Sequence, residues 1–362
     1  MGARPAVEAA PGLSLGDEEP PLETRVIPID PEAPDAGVLA EAGATMRGGG
    51  LVAFPTETVY GLGANALDDA AIRRIFAAKE RALDDPLIVH LAAAADLGRV
   101  AAEVPALARE LAAAFWPGPL TMVLRKRPEV PASATAGLDT VAVRVPAHPV
   151  ALGLIRAAGV PIAAPSANRF TRTSATTAAH VLEDLGGRIE MVLDGGPTAF
   201  GVESSVVDVS GDPPRLLRPG ALTLEALERV AGPIALGPGK ERPASPGMME
   251  RHYAPRARLV YVREGGPAVL RARVAAGIAS GARTGVIGTD VDAKAVADME
   301  GVCVALLGTE GDHAAFAAGL FAGMRKLDAE GVELVVVRGP GTSGLARAVD
   351  DRLRRAAAEV IE

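Results

Sequence analysis

The stretch "LGPGKERPASPGMMERHYAPRA", Leu236–Ala257, constrains the fold of this chain more than any other. It is dense in Pro and Gly, polar, and without helical or strand periodicity, so it reads as a linker. Each side of it carries its own alternation of strand-like and helix-like segments. Before it, "GLVAF", "LIVHL", "LTMVL", "TVAVRVP", "VPIAA", "IEMVL", "SSVVDV" and "RLLR" read as strands. "DAAIRRIFAAK", "VPALARELAAAFW", "HPVALGLIRAAG" and "TTAAHVLEDLGG" read as helices. This predicts a mixed α/β domain over 25–235. After the linker, "RLVYV", "TGVIG", "VCVALL" and "ELVVV" alternate with helical runs, the last being "LARAVDDRLRRAAAEVI". That regularity predicts a smaller, parallel, Rossmann-like domain over 258–362. It has no GxGxxG after its first strand. "GTSGLA" reads as a glycine-rich connection before it reads as a phosphate loop.

Composition narrows the function classes. At 362 residues, 49% hydrophobic and 23% charged, the chain has material for two cores. Its one cysteine, Cys303, excludes an intrachain disulfide framework and a multi-cysteine zinc site. The five histidines are scattered and form no HExxH, so no transition-metal site is expected. A formal charge of −8 argues against tight direct nucleic-acid binding. Residues 1–24, rich in Pro, Gly and acid, lack the charged and apolar regions of a secretory signal and read as a disordered tail. No run of 18 uninterrupted apolar residues occurs, so no transmembrane helix is expected, and the single, buried-looking cysteine leads to the expectation of a cytoplasmic location.

Polar and basic residues gather where strands end. "AFPTETVYGLGA" runs from a strand, through Pro55, into Thr56, Glu57 and Thr58, and then into a Gly-x-Gly turn. Lys79 and Arg81 end a helix pattern. Two residues apart they cannot share a helix face, yet in an extended turn they could converge on one phosphate; otherwise they serve as C-terminal helix cations. In "TVAVRVP", Val141, Val143 and Val145 share one strand face and Arg144 the other. A buried Arg144 requires an anion, either a structural carboxylate or a ligand's. "APSANRFTRTSATT" offers Ser166, Asn168, Arg172 and Ser174 near a helix start, with Ser174 alternatively a helix cap. "DGGPTAFGVESSVVDV" reads as a hairpin-like connection that leaves "ESS" unexplained. Several cations without a Cys, His pair or serine triad point to charge stabilisation rather than covalent catalysis.

The ordered set "GGGLVAFPTETVYGLGANA", "KERALDDPLIVH", "FWPGPLTMVL", "VAVRVPAHP", "APSAN", "DGG…ESSVVD" and "LLRPGA" resembles the YrdC-like threonylcarbamoyl-AMP synthases. "SPGMMERHYAP" and "GLARAVDDRLRRAA" resemble the linker and the C-terminal end of the long, two-domain members. The resemblance implies a YrdC-like mixed twisted sheet with flanking helices, joined to the Rossmann-like domain. It implies conversion of L-threonine, bicarbonate and ATP to threonylcarbamoyl-AMP and pyrophosphate, with Mg²⁺ on the phosphates. A separate complex would pass the group to tRNA. Position by position, it assigns Thr58, His90, Arg144, Ala164 (backbone) and Ser204 to threonine. It assigns Arg81, Asp85, Thr140, Ser166, Ser174 and Arg218 to ATP, Lys79 to phosphate, and Tyr253 to a linker that closes as a lid. Lys79, Arg81 and Arg144 would be the catalytic cations.

The chain departs from the family pattern at Glu80 and Ala82, where Gly and Pro are frequent, at Asp85, where an amide or His is, and at Thr171, where glycine is common. Glu57 could orient its loop or approach the metal. One rival is a YrdC-like RNA-binding module without synthase activity, disfavoured by the acidic total and by 3% aromatics. Another, a hydrogenase-maturation carbamoyl-transfer enzyme, would need cysteine motifs that the chain lacks.

Overall fold

The computed structural model describes residues 22–237 and 252–362. Most of the expected tail (1–21) and of the expected linker (238–251) therefore lies outside the described residues. Thr24, placed in the tail by sequence, is tied down: its hydroxyl donates to the Ile189 carbonyl at 2.6 Å and accepts from Gly187 N–H at 2.9 Å.

The first unit's strands are Arg25–Pro28 (β1), Val52–Phe54 (β2), Gly61–Asn65 (β3), Ile88–His90 (β4), Leu120–Arg125 (β5), Thr140–Arg144 (β6), Ile162–Ala163 (β7), Met191–Asp194 (β8), Ser205–Asp208 (β9), Arg215–Arg218 (β10) and Ala235–Leu236 (β11). Its helices are Ala36–Arg47 (α1), Asp69–Lys79 (α2), Ala106–Phe115 (α3), Pro149–Ala158 (α4), Ala178–Leu185 (α5) and Leu224–Ala231 (α6). The strands form one mixed sheet in the order β1-β8-β2-β3-β7-β4-β6-β5-β9-β10-β11. Apolar layers cover it on both sides. One gathers Ile72, Ile75, Leu111 and Leu227, and the other Leu39, Met46, Leu154 and Ile155.

Local chemistry explains the element ends. Asp68 caps α2 by accepting from Ala70 and Ala71 N–H. Pro149 opens α4 and Gly159, at φ +68°, closes it. The glycine pair of "YGLGA" is not a turn. It lies in β3, antiparallel to β2, and the chain reverses earlier, between Pro55 and Tyr60. Gly63 is required by packing: a Cβ there would lie 2.5 Å from Met46 Cε and 2.8 Å from Phe54. The turn reading failed because glycines carry no apolar pattern.

The second unit has Arg258–Val262 (β12), Thr284–Gly288 (β13), Cys303–Leu306 (β14), Leu334–Arg338 (β15) and Glu359–Ile361 (β16). Its helices are Pro267–Ala279 (α7), Asp290–Ala295 (α8), His313–Ala329 (α9) and Ala346–Ala356 (α10). All pairings are parallel, in the order β14-β13-β15-β12-β16. The last helix is shorter than its sequence pattern: it stops at Ala356, and Glu359–Ile361 adds an edge strand against β12. A third apolar layer joins the units, with Val59, Val202 and Tyr253 packed among Phe316, Leu320 and Phe321.

Candidate active site

β4 and β6 run parallel, and their last residues, His90 and Arg144, are register partners. Side chains at paired positions share a sheet face, so imidazole and guanidinium project together at the strand ends. The Pro55–Tyr60 reversal, the Lys79–Pro86 turn and the loop after β7 close around them. The result is a cleft of about 620 Å³ counting its mouth. Lys79, Arg81, Arg144 and Arg218 face Asp85 and Glu203 in its lining, so cations outnumber carboxylates four to two. Such a surface suits anionic ligands.

Arg144 is 4% exposed and its partner is Glu57, whose Oε1 lies 2.7 Å from Nη2. Nη1 donates to Thr58 Oγ1 at 2.9 Å and Nε to the Gly118 carbonyl at 3.3 Å. The structural carboxylate that the strand pattern left open is thus present. Glu57 holds Arg144, and among the described residues no His/Cys/Asp/Glu cluster able to hold a metal surrounds it. Thr58 is itself braced by Thr56, oxygen to oxygen at 2.8 Å. Burial, with Arg144 adjacent, drives the His90 pKa down to about 3, so the ring is neutral. Its Nδ1 faces the Ile88 carbonyl at 3.2 Å, an acceptor that a proton on Nδ1 would satisfy. Ala164 lines the same cleft, its N–H given to the Ile88 carbonyl.

Lys79, also in the lining, closes α2. Glu80, at φ +53°, turns the chain left-handed so that Arg81 reaches the same cleft. Lys79 is no exposed helix cation. It is 2% exposed and donates to the Ser166 carbonyl at 2.5 Å and to the Asn168 carbonyl. Burial, then Arg81, holds its pKa well below the usual lysine range. Arg81 pairs with Asp85 at 2.8 Å and donates to the Asp85 and Pro86 carbonyls, between the rings of Phe76 and Phe170. Burial raises the Asp85 pKa against the pull of Arg81 and Arg218. Arg218 donates to the Ser204 carbonyl at 3.0 Å and to Ser204 Oγ at 3.2 Å, and Ser204 Oγ also meets Thr121 Oγ1 at 2.8 Å.

Two expected residues do not line the cleft. Thr140 opens β6, four residues before Arg144. Ser174 sits behind the wall and donates to Glu203 Oε1 at 2.5 Å. It is not a helix cap either: Thr177 caps α5. Tyr253 is in the lining, 1% exposed, stacked on Phe321 at 5.6 Å and against His252 at 4.1 Å. Glu203, Phe170 and His252 also line the cleft and were not singled out. For Glu203 the signal was the unexplained "ESS". "GTSGLA" is a loop before α10, where Gly344 N–H approaches Glu225 Oε1 at 3.5 Å, a carboxylate of the first unit.

The Sua5–YciO–YrdC family model, described as "Telomere recombination", matches residues 44–220. The model described as "Threonylcarbamoyl-AMP synthase, C-terminal domain" matches residues 222–358. The chain is 48% identical over 321 residues to the threonylcarbamoyl-AMP synthase of Pyrococcus abyssi, covering 86% of this chain and 91% of that one. It is 43% identical over 325 residues to that of Bacillus subtilis, covering 88% and 92%. The crystal structure of P. abyssi Sua5 complexed with L-threonine superimposes with a TM-score of 0.86 at 43% identity, covering 94% of this chain and 100% of that one.

Proposed function

This chain belongs to the Sua5–YciO–YrdC family in its long, two-domain form, and we infer that it is a threonylcarbamoyl-AMP synthase. It converts L-threonine, bicarbonate and ATP to L-threonylcarbamoyladenylate and pyrophosphate. The observation that carries the reading is one cleft whose lining combines Arg144, Thr58 and neutral His90 with the further cations Lys79, Arg81 and Arg218.

The chemistry asks for no protein nucleophile. The threonine amine adds to bicarbonate with loss of water, and a carbamate oxygen attacks the α-phosphorus of ATP as pyrophosphate leaves. What the reaction needs is two anionic reactants held together and charge stabilised as it develops. Arg144, oriented by Glu57 and Thr58, binds the threonine carboxylate. Neutral His90, Ala164 and Ser204 complete the threonine contacts. Lys79, Arg81 and Arg218, with Ser166, hold the phosphates. Asp85, paired with Arg81, fixes that fork more than it meets ligand. Ser174 acts on the nucleotide end through Glu203, and Tyr253 closes it. ATP enters as its magnesium complex, with the metal carried by the phosphates. The labile product passes to a tRNA-modifying transfer complex in the cytoplasm; no described helix is long and apolar enough to cross a membrane.

Pyrophosphate release with each reactant omitted in turn tests the reading. The full mixture releases pyrophosphate and yields a product of threonylcarbamoyladenylate mass. Release that continues undiminished without threonine would overturn it.

A further inference from the structure

The largest fully buried side chain among the described residues is an arginine, and it belongs to the other domain. Arg352 of α10 is 0% exposed. Its Nε donates to Glu203 Oε2 at 2.7 Å, and its Nη1 donates to the Pro219 carbonyl at 2.9 Å and to Asp351 at 2.6 Å. Its guanidinium carbon lies 5.1 Å from the centre of the Tyr253 ring. Glu203 and Tyr253 both line the cleft. The other Glu203 oxygen accepts from Ser174, so the carboxylate is clamped from two domains.

A second arginine secures the neighbouring segment. Arg325 of α9 donates to the Thr173 carbonyl and to Asp184, each at 2.6 Å, and to Glu183 at 2.9 Å. Burying a guanidinium is expensive, and a hydrophobic staple would hold two domains together at lower cost. What an arginine adds is a fixed, directional grip on a carboxylate. Glu203 lies in the field of two cations, Arg352 and Arg218. Without Arg352, its charge would fall on Arg218 alone, and Arg218 would offer less attraction to a phosphate.

We propose that Arg352 is a positioning residue for the nucleotide end of the synthase site: it holds Glu203 and Tyr253, so that a competent site exists only with the C-terminal domain docked. This rests on the synthase reading above. It makes the second domain part of the site's electrostatics rather than an appendage.

The test is steady-state kinetics of the full-length chain, with ATP and threonine varied separately, in Arg352→Gln, Glu203→Gln and the double variant. Arg352→Gln is expected to raise the KM for ATP at least tenfold and to move the KM for threonine less than threefold. The double variant, having no stranded carboxylate, recovers most of the ATP affinity. Equal rises in both KM values, or no recovery in the double variant, would reduce Arg352 to a structural staple and overturn the proposal. If Arg352→Gln fails to fold, Arg352→Lys serves. It keeps the charge and loses the fork, so a KM for ATP raised several-fold at unchanged thermal midpoint supports the proposal, and unchanged kinetics overturn it. An inactive wild-type chain would fault the synthase reading; an active wild type with an indifferent Arg352→Gln faults only this proposal.

Discussion

Each unit has a crevice at its strand ends, and the two treat charge in opposite ways. In the C-terminal unit the connections from β13 and β15 leave toward opposite edges of the sheet, the geometry at which open α/β sheets tend to bind ligands. The crevice there, about 410 Å³, is lined by Thr289, Asp292, Glu310 and Arg338. Yet Arg338 closes on Asp292 and Glu310, each at 2.6 Å, and Thr289 gives its backbone N–H to Asp292 and its hydroxyl to Glu310. Its polar groups satisfy one another. In the N-terminal cleft, Arg81 Nε, Asn168 Oδ1 and His252 Nδ1 are buried without a hydrogen-bond partner. Buried polar atoms left unmatched are costly, and a site that binds ligand is where a fold tolerates them. Strand-end geometry alone therefore does not mark a ligand site; unmet hydrogen-bonding capacity does.

The largest expected effect sets the two arginines against each other. Arg144→Ala should raise the KM for threonine by at least about 30-fold, the equivalent of ~2 kcal/mol for losing a buried charge contact, and move the KM for ATP far less. Glu57→Gln, which leaves Arg144 in place without its counter-ion, should raise the threonine KM by a smaller factor. Arg338→Ala should instead lower unfolding stability by about 3 kcal/mol by stranding Asp292, while activity per folded molecule at 25 °C is kept. A threonine KM that responds to Arg338→Ala as it does to Arg144→Ala would erase the distinction.

Acid should find the N-terminal cleft first. Burial holds both His90 and His252 down to about 3. Their unfolded counterparts titrate near 6.5, so below that pH the unfolded chain binds more protons than the folded one. Stability is fully present above 6.5 and is lost as pH falls toward 3. Between pH 7 and pH 5 each histidine should withdraw about 2 kcal/mol. Urea midpoints at the two pH values measure the loss; His180, which burial holds down to about 4, adds nearly as much, so His252→Gln should remove no more than about a third of it. A midpoint that does not move between pH 7 and pH 5 would mean that water reaches these rings.

Much of this was legible from residues. The Asp69–Lys79 helix and the face alternation of β6 follow from local pattern, and the alternation sets Arg144 opposite the valine face, where burial demands a counter-ion. What stayed hidden is non-local or lacks a side-chain signal. β3 was hidden by its glycines, and β16 by being a three-residue edge strand stabilised only by β12. The identity of the Arg144 partner needed Glu57 to return across 87 positions of chain, from Glu57 to Arg144. Glu203 could be flagged as odd but not explained, because Arg352 lies 149 residues away. Resemblance supplied Thr140 and Ser174 as ligand contacts, and the geometry places neither in the cleft wall.

The smallest effect concerns backbone strain, and it again separates the two regions. Among the described residues every positive-φ position from Gly265 onward is glycine, whereas Glu80, Ala136, Thr171 and Tyr253 take positive φ with side chains. Glu80 and Thr171 are the two positions at which the family resemblance leads one to expect glycine. At Thr171, with φ +65°, the penalty is largest, because a branched Cβ crowds its own backbone. The side chain is exposed, and the residue's link to the linker runs through its carbonyl, which accepts from Ala254 N–H at 2.9 Å. Thr171→Gly therefore removes strain and no contact. Net of the unfolded-state freedom that any added glycine brings, it should gain about 1 kcal/mol, or roughly 2–4 °C in thermal midpoint. Glu80 has an unbranched Cβ at φ +53°, and its carboxylate pairs with Arg169 and Arg188. Glu80→Gly gives up those pairs and adds unfolded-state freedom, so its midpoint should stay level or fall. Thermal melts of the two variants side by side decide the point: a rise for Glu80→Gly equal to that for Thr171→Gly would show that left-handed backbone alone, and not branching at Cβ, is what the cleft carries at a cost.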